Sequence, residues 1–218
     1  GLGRLKQAAV AVFGMGGVGA AAVEALARTG IGTLVIVDHD QVAPSNLNRQ
    51  LIALTSTLGR LKVEAAAERI KDINPECRVI TYPIFYKKEH EAEIFAHRPD
   101  YVVDAIDSVA AKLDLIEGCV RAGIPIISAM GAGNKLDPTK LTTADISETH
   151  TCPLARVIRA ELRKRGIVSG VKTVFSTEQP LKVHKKENGR HPPGSIAFVP
   201  PVAGYVMASV VVRDLLAR

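Results

Sequence analysis

Residues 8–38, AAVAVFGMGGVGAAAVEALARTGIGTLVIVD, decide the fold. An apolar run at 8–13 ends in glycines. An alanine-rich stretch at 17–29 then carries apolar residues at helical spacing, and a β-branched run follows at 33–37. This order is typical of a strand, a helix and a second, parallel strand. It predicts a strand at 8–13, a helix at 17–29 and a buried strand at 33–37.

The same alternation continues through the first two thirds of the chain. Further strands are predicted at 78–82, 101–103 and 124–128, and further helices at 59–74, 88–96 and 108–121. The last third is less regular, with strands predicted at 141–146, 171–176 and 196–199, helices at 153–165 and 201–216, and a polar loop at 182–193. The predicted fold class is therefore α/β. We expect a Rossmann-like, doubly wound and mostly parallel sheet, extended by the later strands, with helices on both faces.

The composition is that of an ordinary globular protein of 218 residues. Hydrophobic residues make up 47% and charged residues 23%, which argues against disorder. The net charge of +6 and the pI near 9.3 favour a polyanionic partner. Three cysteines form no CxxC pair, which excludes a zinc ribbon. No apolar run reaches the roughly 20 residues that span a bilayer, and no signal peptide is visible, so we expect a cytoplasmic protein with no membrane partner.

The glycines between the first strand and the first helix form the motif GxGxxG. Gly14, Gly16 and Gly19 let the backbone turn tightly and approach a phosphate, while the following helix offers N–H donors at its N-terminus. Asp38 ends the second strand, where a carboxylate can accept hydrogen bonds from ribose hydroxyls. A tight turn with a capping aspartate would also explain this sequence motif, but the flanking strand and helix favour a nucleotide site.

Two cations and a second acidic segment argue for ATP rather than NAD. Arg49 and Lys62 would lie near the phosphates, where cleavage of ATP at the α-phosphate develops charge and hydride transfer does not. Asp104 and Asp107 stand at the end of a strand, where two carboxylates can hold Mg²⁺. Taken singly, Asp107 is also explained as a helix cap, and the two cations as part of a solvated face.

Four runs resemble the E1-like superfamily of ThiF-type and ubiquitin-activating-type adenylyltransferases. They are GMGGVG at 14–19, DHDQVAPSNLNRQ at 38–50, LGRLKVEAAAERIKDINP at 58–75 and DAIDS at 104–108. The resemblance implies that ATP lies over the glycine turn and that a substrate carboxylate attacks its α-phosphate, giving an acyl-adenylate and pyrophosphate. The ATP-binding residues that it implies are Gly14, Gly16, Gly17, Gly19, Asp38, Asp40, Asn46, Arg49, Lys62 and Asp107. Among these, Arg49, Lys62 and Asp107 would act in catalysis, and Asp107 would hold Mg²⁺.

Motifs along nearly the whole chain resemble one branch of that superfamily, the tRNA threonylcarbamoyladenosine dehydratases. They include EALARTGIG at 24–32, GAGNKLDP at 131–138, VFSTE at 174–178 and PGSIAFVPPVAG at 193–204. The branch implies an ATP-dependent, cyclising dehydration of N6-threonylcarbamoyladenosine beside the anticodon, by adenylation of the carboxylate and loss of AMP. No enzyme thioester is required, which fits a chain without a convincing nucleophilic cysteine. We expect Gly131 and Gly133 to give the substrate close access to the backbone.

The implied partner is the anticodon arm of a tRNA, held by positive charge. Basic side chains contact phosphates without reading sequence, although a solvated helix face and loop would also explain them. The expected RNA-binding residues are Arg156, Arg159, Arg163, Lys164, Lys182, Lys185, Lys186 and Arg190. We therefore expect a single E1-like domain over 1–218, with a nucleotide-binding half at 1–140 and a half facing substrate and RNA at 141–218.

Two other functions stay open on the sequence. The first is an adenylyltransferase for a ubiquitin-like sulfur carrier. Such relatives usually bind zinc through CxxC pairs, which this chain lacks, so the expected cofactors are ATP and Mg²⁺ without zinc. The second is a non-catalytic ATP-binding adaptor in sulfur relay, with a cysteine desulfurase or sulfur acceptor as partner. The superfamily also implies a homodimer whose ATP site receives an arginine from the partner's N-terminal segment. We expect that segment to precede Gly1 and do not assign its role to Arg4.

Overall fold

The computed structural model describes residues 1–181 and 194–218 of the chain. Its strands, in chain order, are β1 (Ala9–Phe13), β2 (Thr33–Val37), β3 (Arg78–Tyr82), β4 (Tyr101–Asp104), β5 (Ile126–Ala129), β6 (Leu141–Asp145) and β7 (Lys172–Ser176). They form one sheet in the order β3–β2–β1–β4–β5–β7–β6. Every neighbouring pair is parallel except β7 and β6, which are antiparallel.

Helices cover both faces of this sheet. In chain order they are α1 (Leu2–Gln7), α2 (Gly17–Arg28), α3 (Lys62–Ile73), α4 (Glu91–Phe95), α5 (Val109–Ala122), α6 (Pro153–Lys164) and α7 (Val199–Ala217). Side chains of α1, α2, α3 and α7 pack into one apolar core, and those of α4, α5 and α6 into another. Residues of β1 alternate between the cores, with Val10 and Val12 in the first and Ala11 and Phe13 in the second. The predicted doubly wound α/β fold is confirmed.

The strand order creates a crevice at the carboxyl ends of β1 and β4. The chain leaves β1 for β2 on one side and reaches β4 on the other side, with Phe13 paired to Asp104 at the last position of the two strands. Ligands of open α/β sheets bind where the strand order reverses in this way, because the connections on the two sides diverge. The turns at 14–16 and 105–107 therefore face a common opening.

The predicted strands at 33–37 and 78–82 agree with β2 and β3 to the residue. The strand predicted at 196–199 is wrong, because Phe198 is the residue before α7 and the helix begins at Val199. The physical reason lies in Pro200 and Pro201, which have no N–H to donate and suit the first turn of a helix, where none is needed. The helix α1 was not predicted, and the polar loop predicted at 182–193 lies outside the described residues.

Helix α7 is long and apolar enough to cross a membrane by length and composition, with a mean hydropathy of 1.4 over an 18-residue window of which 56% is buried inside the protein. In the structure it packs against α2 through Gly204. A Cβ atom at this position would overlap the carbonyl oxygen of Val18. The burial and the close approach to α2 identify α7 as a core helix of the domain.

Candidate active site

The glycine motif forms a tight turn between β1 and α2. Gly14 has a φ of +90°, and a Cβ there would lie 2.6 Å from the carbonyl oxygen of Ala105. A Cβ on Gly19 would overlap the carbonyl oxygen of Gly14, so only glycine lets the helix pack this closely on the turn. Gly16 is the N-cap of α2, so the first N–H groups of the helix follow directly on the turn, as in a phosphate-binding turn.

A cavity of about 370 Å³ opens over this turn at the carboxyl ends of the strands. Its lining includes the following ATP-site residues predicted from the sequence: Gly14, Gly16, Gly17, Asp38, Asp40, Asn46, Arg49, Lys62 and Asp107. Gly19 is not in the lining and acts one turn deeper, in the packing of α2. The structure thus brings together residues from five separate segments of the chain around one opening.

The carboxylate of Asp38 fixes the edge of the glycine turn. One of its oxygens accepts a hydrogen bond from the N–H of Met15 at 2.5 Å, and the other accepts from the N–H of Asp40 at 2.8 Å. These bonds connect the end of β2 to the turn after β1. Asp38 is therefore placed at the rim of the cavity, where the sequence predicts that it meets the ribose.

Lys62 brings a positive charge to the cavity wall from the start of α3. The residue is only 5% exposed, and its Nζ lies 2.7 Å from Oδ2 of Asp40. The N–H of Lys62 also donates to the carbonyl oxygen of Asp40 at 2.9 Å. This double contact holds the ammonium group in place because a buried lysine side chain needs a charged partner.

Arg49 is held by its own neighbourhood in the SNLNRQ segment. Its Nη1 donates to the carbonyl oxygen of Ser45 and to Oδ1 of Asn48, both at 2.9 Å. Asn46 is buried, and its Oδ1 accepts from the N–H of Ala43 at 3.0 Å, which closes the turn that carries the arginine. Gln50, which the sequence analysis missed, is buried beside the cavity, and its Oε1 bonds to no described atom. Such an orphaned acceptor in a cavity wall is suited to a ligand donor.

The two carboxylates of the DAIDS segment have different surroundings. Asp104 is fully buried and paired with Lys112 at 2.7 Å, and it also accepts from the hydroxyl of Ser128 at 2.6 Å. Asp107 is exposed on the cavity and makes no hydrogen bond within the described part of the chain. The expectation that both carboxylates hold Mg²⁺ is therefore wrong for Asp104. Of these two carboxylates, Asp107 is the one that forms no ion pair within residues 1–181 and 194–218.

A cluster at the end of β2 also brings ligand atoms together. Atoms of Asp38, His39 and Asp40 lie within 4.8 Å of one another. Both oxygens of Asp38 already accept N–H bonds, and Asp40 already pairs with the ammonium group of Lys62. The cluster is therefore poorly suited to a further cation, since a cation there would compete with Lys62.

An aromatic wall completes the cavity, and sequence analysis did not identify it. The ring of Phe85 packs edge-on against His39 with centroids 5.0 Å apart and is 43% exposed. Behind it Tyr86 packs against Phe13, also at 5.0 Å, and burial raises the pKa of the Tyr86 hydroxyl well above its usual range. A wall of this kind can pack against a planar base. The only available signal was the apolar run IFY after β3.

The cysteines do not form a reactive centre. Cys77, Cys119 and Cys152 are all buried and free. Burial raises the pKa of the Cys119 and Cys77 thiols, which keeps them protonated. Cys152 is the N-cap of α6 and is 2% exposed. These environments agree with a reaction that needs no enzyme thioester.

The basic residues of α6 divide into paired and unpaired sets. Arg159 donates to the carbonyl oxygen of Thr149 at 2.7 Å, and Lys164 pairs with Glu161 at 2.6 Å. Arg156 and Arg163 are exposed and form no ion pair with any residue in the described ranges. The other four expected RNA-binding residues, Lys182, Lys185, Lys186 and Arg190, lie outside the described residues.

Comparisons with known proteins agree along the whole chain. The ThiF family matches residues 1–218. A tRNA threonylcarbamoyladenosine dehydratase of Bacillus subtilis is 49% identical over 228 residues, covering 99% of this chain and 90% of the relative. The protein of that name from Escherichia coli is 44% identical over 179 residues, covering 79% of this chain and 67% of the relative.

A solved structure gives the same result. It is the E. coli tRNA N6-threonylcarbamoyladenosine dehydratase, TcdA, in complex with ATP. It matches with a TM-score of 0.90 and 38% identity, covering 99% of this chain and 88% of that chain. The resemblance inferred from the motifs is confirmed.

Proposed function

Because the chain belongs to the ThiF family, and its full-length relatives are tRNA threonylcarbamoyladenosine dehydratases, we infer that it is an ATP-using enzyme of that kind. One observation carries this conclusion at the level of the site. The cavity that joins the glycine turn, Lys62, Arg49 and Asp107 is also lined by Ala132, Gly133 and Ser195. These last residues come from the motifs that resemble the dehydratases specifically.

We propose that Lys62 and Arg49 bind the phosphates of ATP and stabilise the pyrophosphate that leaves. The substrate carboxylate forms a bond to the α-phosphorus while the bond to the β-phosphate oxygen breaks, which increases negative charge on the leaving group. The buried ammonium group of Lys62 and the anchored guanidinium of Arg49 are already oriented, so little reorganisation is needed when that charge develops. Gly17 and Val18 at the start of α2 line the same cavity, and the N-terminus of a helix offers N–H donors to phosphate.

The second step is ring closure within the substrate. A nucleophile of the modified side chain attacks the acyl carbon, and AMP leaves with the carboxylate oxygen, so the nucleoside loses one water in total. Because the reaction is intramolecular, the enzyme supplies mainly positioning and exclusion of water. The apolar side of the cavity, which includes Phe13, Ile84, Tyr86 and Ala111, supports that exclusion.

We assign the Mg²⁺ that accompanies ATP to Asp107. Its carboxylate is exposed on the cavity and unpaired within the described ranges, and carboxylate oxygen is a ligand that Mg²⁺ prefers. When bound, the ion would neutralise part of the phosphate charge. The buried pair of Asp104 and Lys112 holds the strand end from which the Asp107 turn begins.

We further propose a homodimer in the cytoplasm. Between β2 and α3 the chain exposes three leucines, Leu47, Leu54 and Leu58, with exposed fractions of 41%, 50% and 39%. Exposed apolar side chains in the segment that carries Arg49 support an interface. The free, buried cysteines support a reducing compartment. Sedimentation equilibrium of the wild type and of Leu54→Asp tests the dimer, which the charged side chain is expected to dissociate.

The test of function is mass spectrometry of nucleosides from tRNA that carries threonylcarbamoyladenosine, after incubation with the protein, ATP and Mg²⁺. Mild work-up is needed because an activated ring hydrolyses back. We expect loss of one water only with ATP, and loss of this activity in Asp107→Asn. Asp72→Asn is the matched control, since Asp72 is exposed on α3 and away from the cavity lining.

Other outcomes point to the alternatives. Formation of AMP and pyrophosphate with a ubiquitin-like carrier protein, without change in the nucleoside, would replace the dehydratase by a sulfur-carrier adenylyltransferase. Binding of ATP without release of AMP under either condition would indicate an adaptor in sulfur relay.

A further inference from the structure

A chain of hydrogen bonds links the loop after β5 to Arg49 in the wall of the cavity, and it starts at Asn134. This residue has a φ of +58° and exchanges two bonds with Gly194. Its N–H donates to the carbonyl oxygen of Gly194 at 2.7 Å, and its Oδ1 accepts from the N–H of Gly194 at 2.6 Å. Its carbonyl oxygen also accepts from the N–H of Leu181 at 2.7 Å. Asn134 therefore fixes the Gly194 backbone against the loop after β5.

The chain of bonds continues from the next residue to Arg49. The carbonyl oxygen of Ser195 accepts from Nδ2 of Asn48 at 2.9 Å, and Oδ1 of Asn48 accepts from Nη1 of Arg49 at 2.9 Å. Asn48 is thus used as an acceptor at one end of its amide and as a donor at the other. Aspartate cannot make both bonds, because an ionised carboxylate only accepts.

These contacts orient the guanidinium group. Nη1 of Arg49 donates to two acceptors, Ser45 and Asn48, whereas its Nε and Nη2 bond to no atom of the described residues. The bonded edge of the fork is fixed to the protein, and the remaining N–H groups are left for phosphate oxygens. Without Asn48 the guanidinium would keep only its contact with the Ser45 backbone.

We propose that Asn134 and Asn48 are positioning residues that hold Arg49 against the phosphates of ATP. The inference rests on the proposed ATP site and extends it to Asn134 and to the backbone of Gly194 and Ser195. Gly133 and Ser195, which flank the bonds, line the same cavity as Arg49. This chain of hydrogen bonds therefore sets the distance between the phosphate-binding Arg49 and the loop at 131–133, which is expected to approach the substrate. A small error in this distance is costly when two groups must react.

The experiment compares two variants in two backgrounds. Asn134→Gly keeps the positive φ but removes the side-chain acceptor, and Asn48→Ala removes both side-chain bonds. In the wild-type background each is expected to raise the Kd for ATP about 5- to 10-fold, the usual effect of one lost hydrogen bond. In the Arg49→Ala background each is expected to change the Kd less than about twofold, because the residue through which they act is gone.

Two further readouts separate positioning from a general structural role. The Kd for adenosine, which has no phosphate, is expected to stay within about twofold of wild type in both variants. Asn134→Asp keeps an acceptor and tolerates a positive φ, so it is expected to recover most of the ATP affinity. Thermal unfolding of each variant confirms that it is folded.

Equal losses of ATP affinity with and without Arg49, equal losses for adenosine, or no loss at all would overturn the inference alone. A wild-type protein that binds no ATP would overturn the proposed function, and this inference with it.

Discussion

The Asp104 carboxylate is the clearest case in which one side chain controls the site without entering it. Its Oδ2 lies 2.7 Å from Nζ of Lys112, and its Oδ1 accepts from the N–H of Ile106 at 3.0 Å. Lys112 also donates to the carbonyl oxygen of Ala129 at 3.0 Å, which connects β4 to the end of β5. The side chains of Asp104 and Lys112 are fully buried, so each depends on the other for compensation of its charge.

Removal of the lysine charge is expected to be strongly destabilising. Lys112→Met leaves the Asp104 carboxylate buried without a counter-ion, and we expect a loss of about 3–5 kcal/mol in the free energy of unfolding. Urea denaturation measures it. The double variant Asp104→Asn with Lys112→Met removes both charges but keeps an acceptor for the N–H of Ile106, so it should be more stable than the single variant. A double variant no more stable than Lys112→Met would contradict this account.

The carboxyl of Glu24 is expected to make the free energy of unfolding depend on pH. Burial by itself raises the pKa of its carboxyl, but hydrogen bonds from Arg69 and Arg28 more than offset this, and the net pKa is lowered below 4.5. Because the folded pKa lies below the unfolded one, the contribution is fully present above pH 4.5 and is lost as the pH falls through the folded pKa. Glu24→Gln is expected to reduce stability at pH 7 by about 1–3 kcal/mol.

The same variant should flatten the acid limb of the stability curve. Urea denaturation at pH 7 and at several values below 4.5 gives the difference between wild type and Glu24→Gln, which should shrink as the pH falls. Glu76→Gln is the matched control, because the pair of Glu76 with Lys6 is exposed and screened by solvent. A constant difference across the range would exclude Glu24 as the titrating group.

At this scale the sequence predicted residue types better than residue roles. The spacing of Asp104 and Asp107 suggested two metal ligands. It does not show that Lys112, in the first turn of α5, forms an ion pair with Asp104. Asn48 and Asn134 were not singled out, because their importance depends on contacts between residues 147 and 60 positions apart along the chain.

At the scale of elements, the packing of α7 on α2 depends on Gly204. A Cβ there would overlap the carbonyl oxygen of Val18 and lie 2.9 Å from Cβ of Ala21. Gly204→Ala is expected to lower the free energy of unfolding by about 1–3 kcal/mol, because the two helices must move apart. Since Val18 lines the ATP cavity, the Kd for ATP should rise as well.

Gly3→Ala is the control for that substitution. Gly3 lies in α1, and no heavy atom would be within 4 Å of its Cβ. Alanine is there expected to leave stability unchanged or to raise it by up to about 1 kcal/mol, since it favours the helix without a clash. Thermal and urea unfolding of both variants measures these changes in the free energy of unfolding. A destabilised Gly3→Ala together with a neutral Gly204→Ala would contradict the packing argument.

Helices and strands were predictable from the sequence where the pattern of apolar residues fits only one type of secondary structure. The strand at 33–37 is rich in β-branched residues, its last four residues are apolar and buried, and its predicted limits are correct. The run at 196–199 is also apolar, but the prolines that follow it start a helix, and no strand partner is available there in the described part of the chain. Helix α1 has no side-chain N-cap bond and one buried residue, Leu5, so its sequence carried little signal.

For the whole molecule, the later strands determine what faces the nucleotide. The antiparallel pair of β6 and β7 extends the sheet beyond β5. The loop at 131–133 leaves β5 at the crevice, and the start of α7 returns beside it. Residues from the two ends of the chain therefore meet over one cavity. Local patterns could predict each element, but this meeting depends on long-range order that the sequence does not display.

Exposed arginines of α6 are expected to contribute to the proposed binding of tRNA. Arg156 and Arg163 lie seven residues apart, on the same side of α6, and are exposed. Neither is engaged by a carboxylate in the described part of the protein, so both are available to phosphates. Replacement of both by alanine is expected to lower the slope of log Kd against log salt by about 0.7–0.9 for each phosphate that an arginine no longer neutralises.

Arg165 provides the comparison within the same region. Its Nη1 lies 2.8 Å from carboxylates of both Asp114 and Glu117, so its charge is already used inside the protein. Arg165→Ala should therefore leave the salt dependence of tRNA binding unchanged, even though it removes the same formal charge. Filter binding at several salt concentrations measures the slopes. If Arg165→Ala lowered the slope by half as much as the double replacement of Arg156 and Arg163, net charge rather than this face of α6 would control RNA binding.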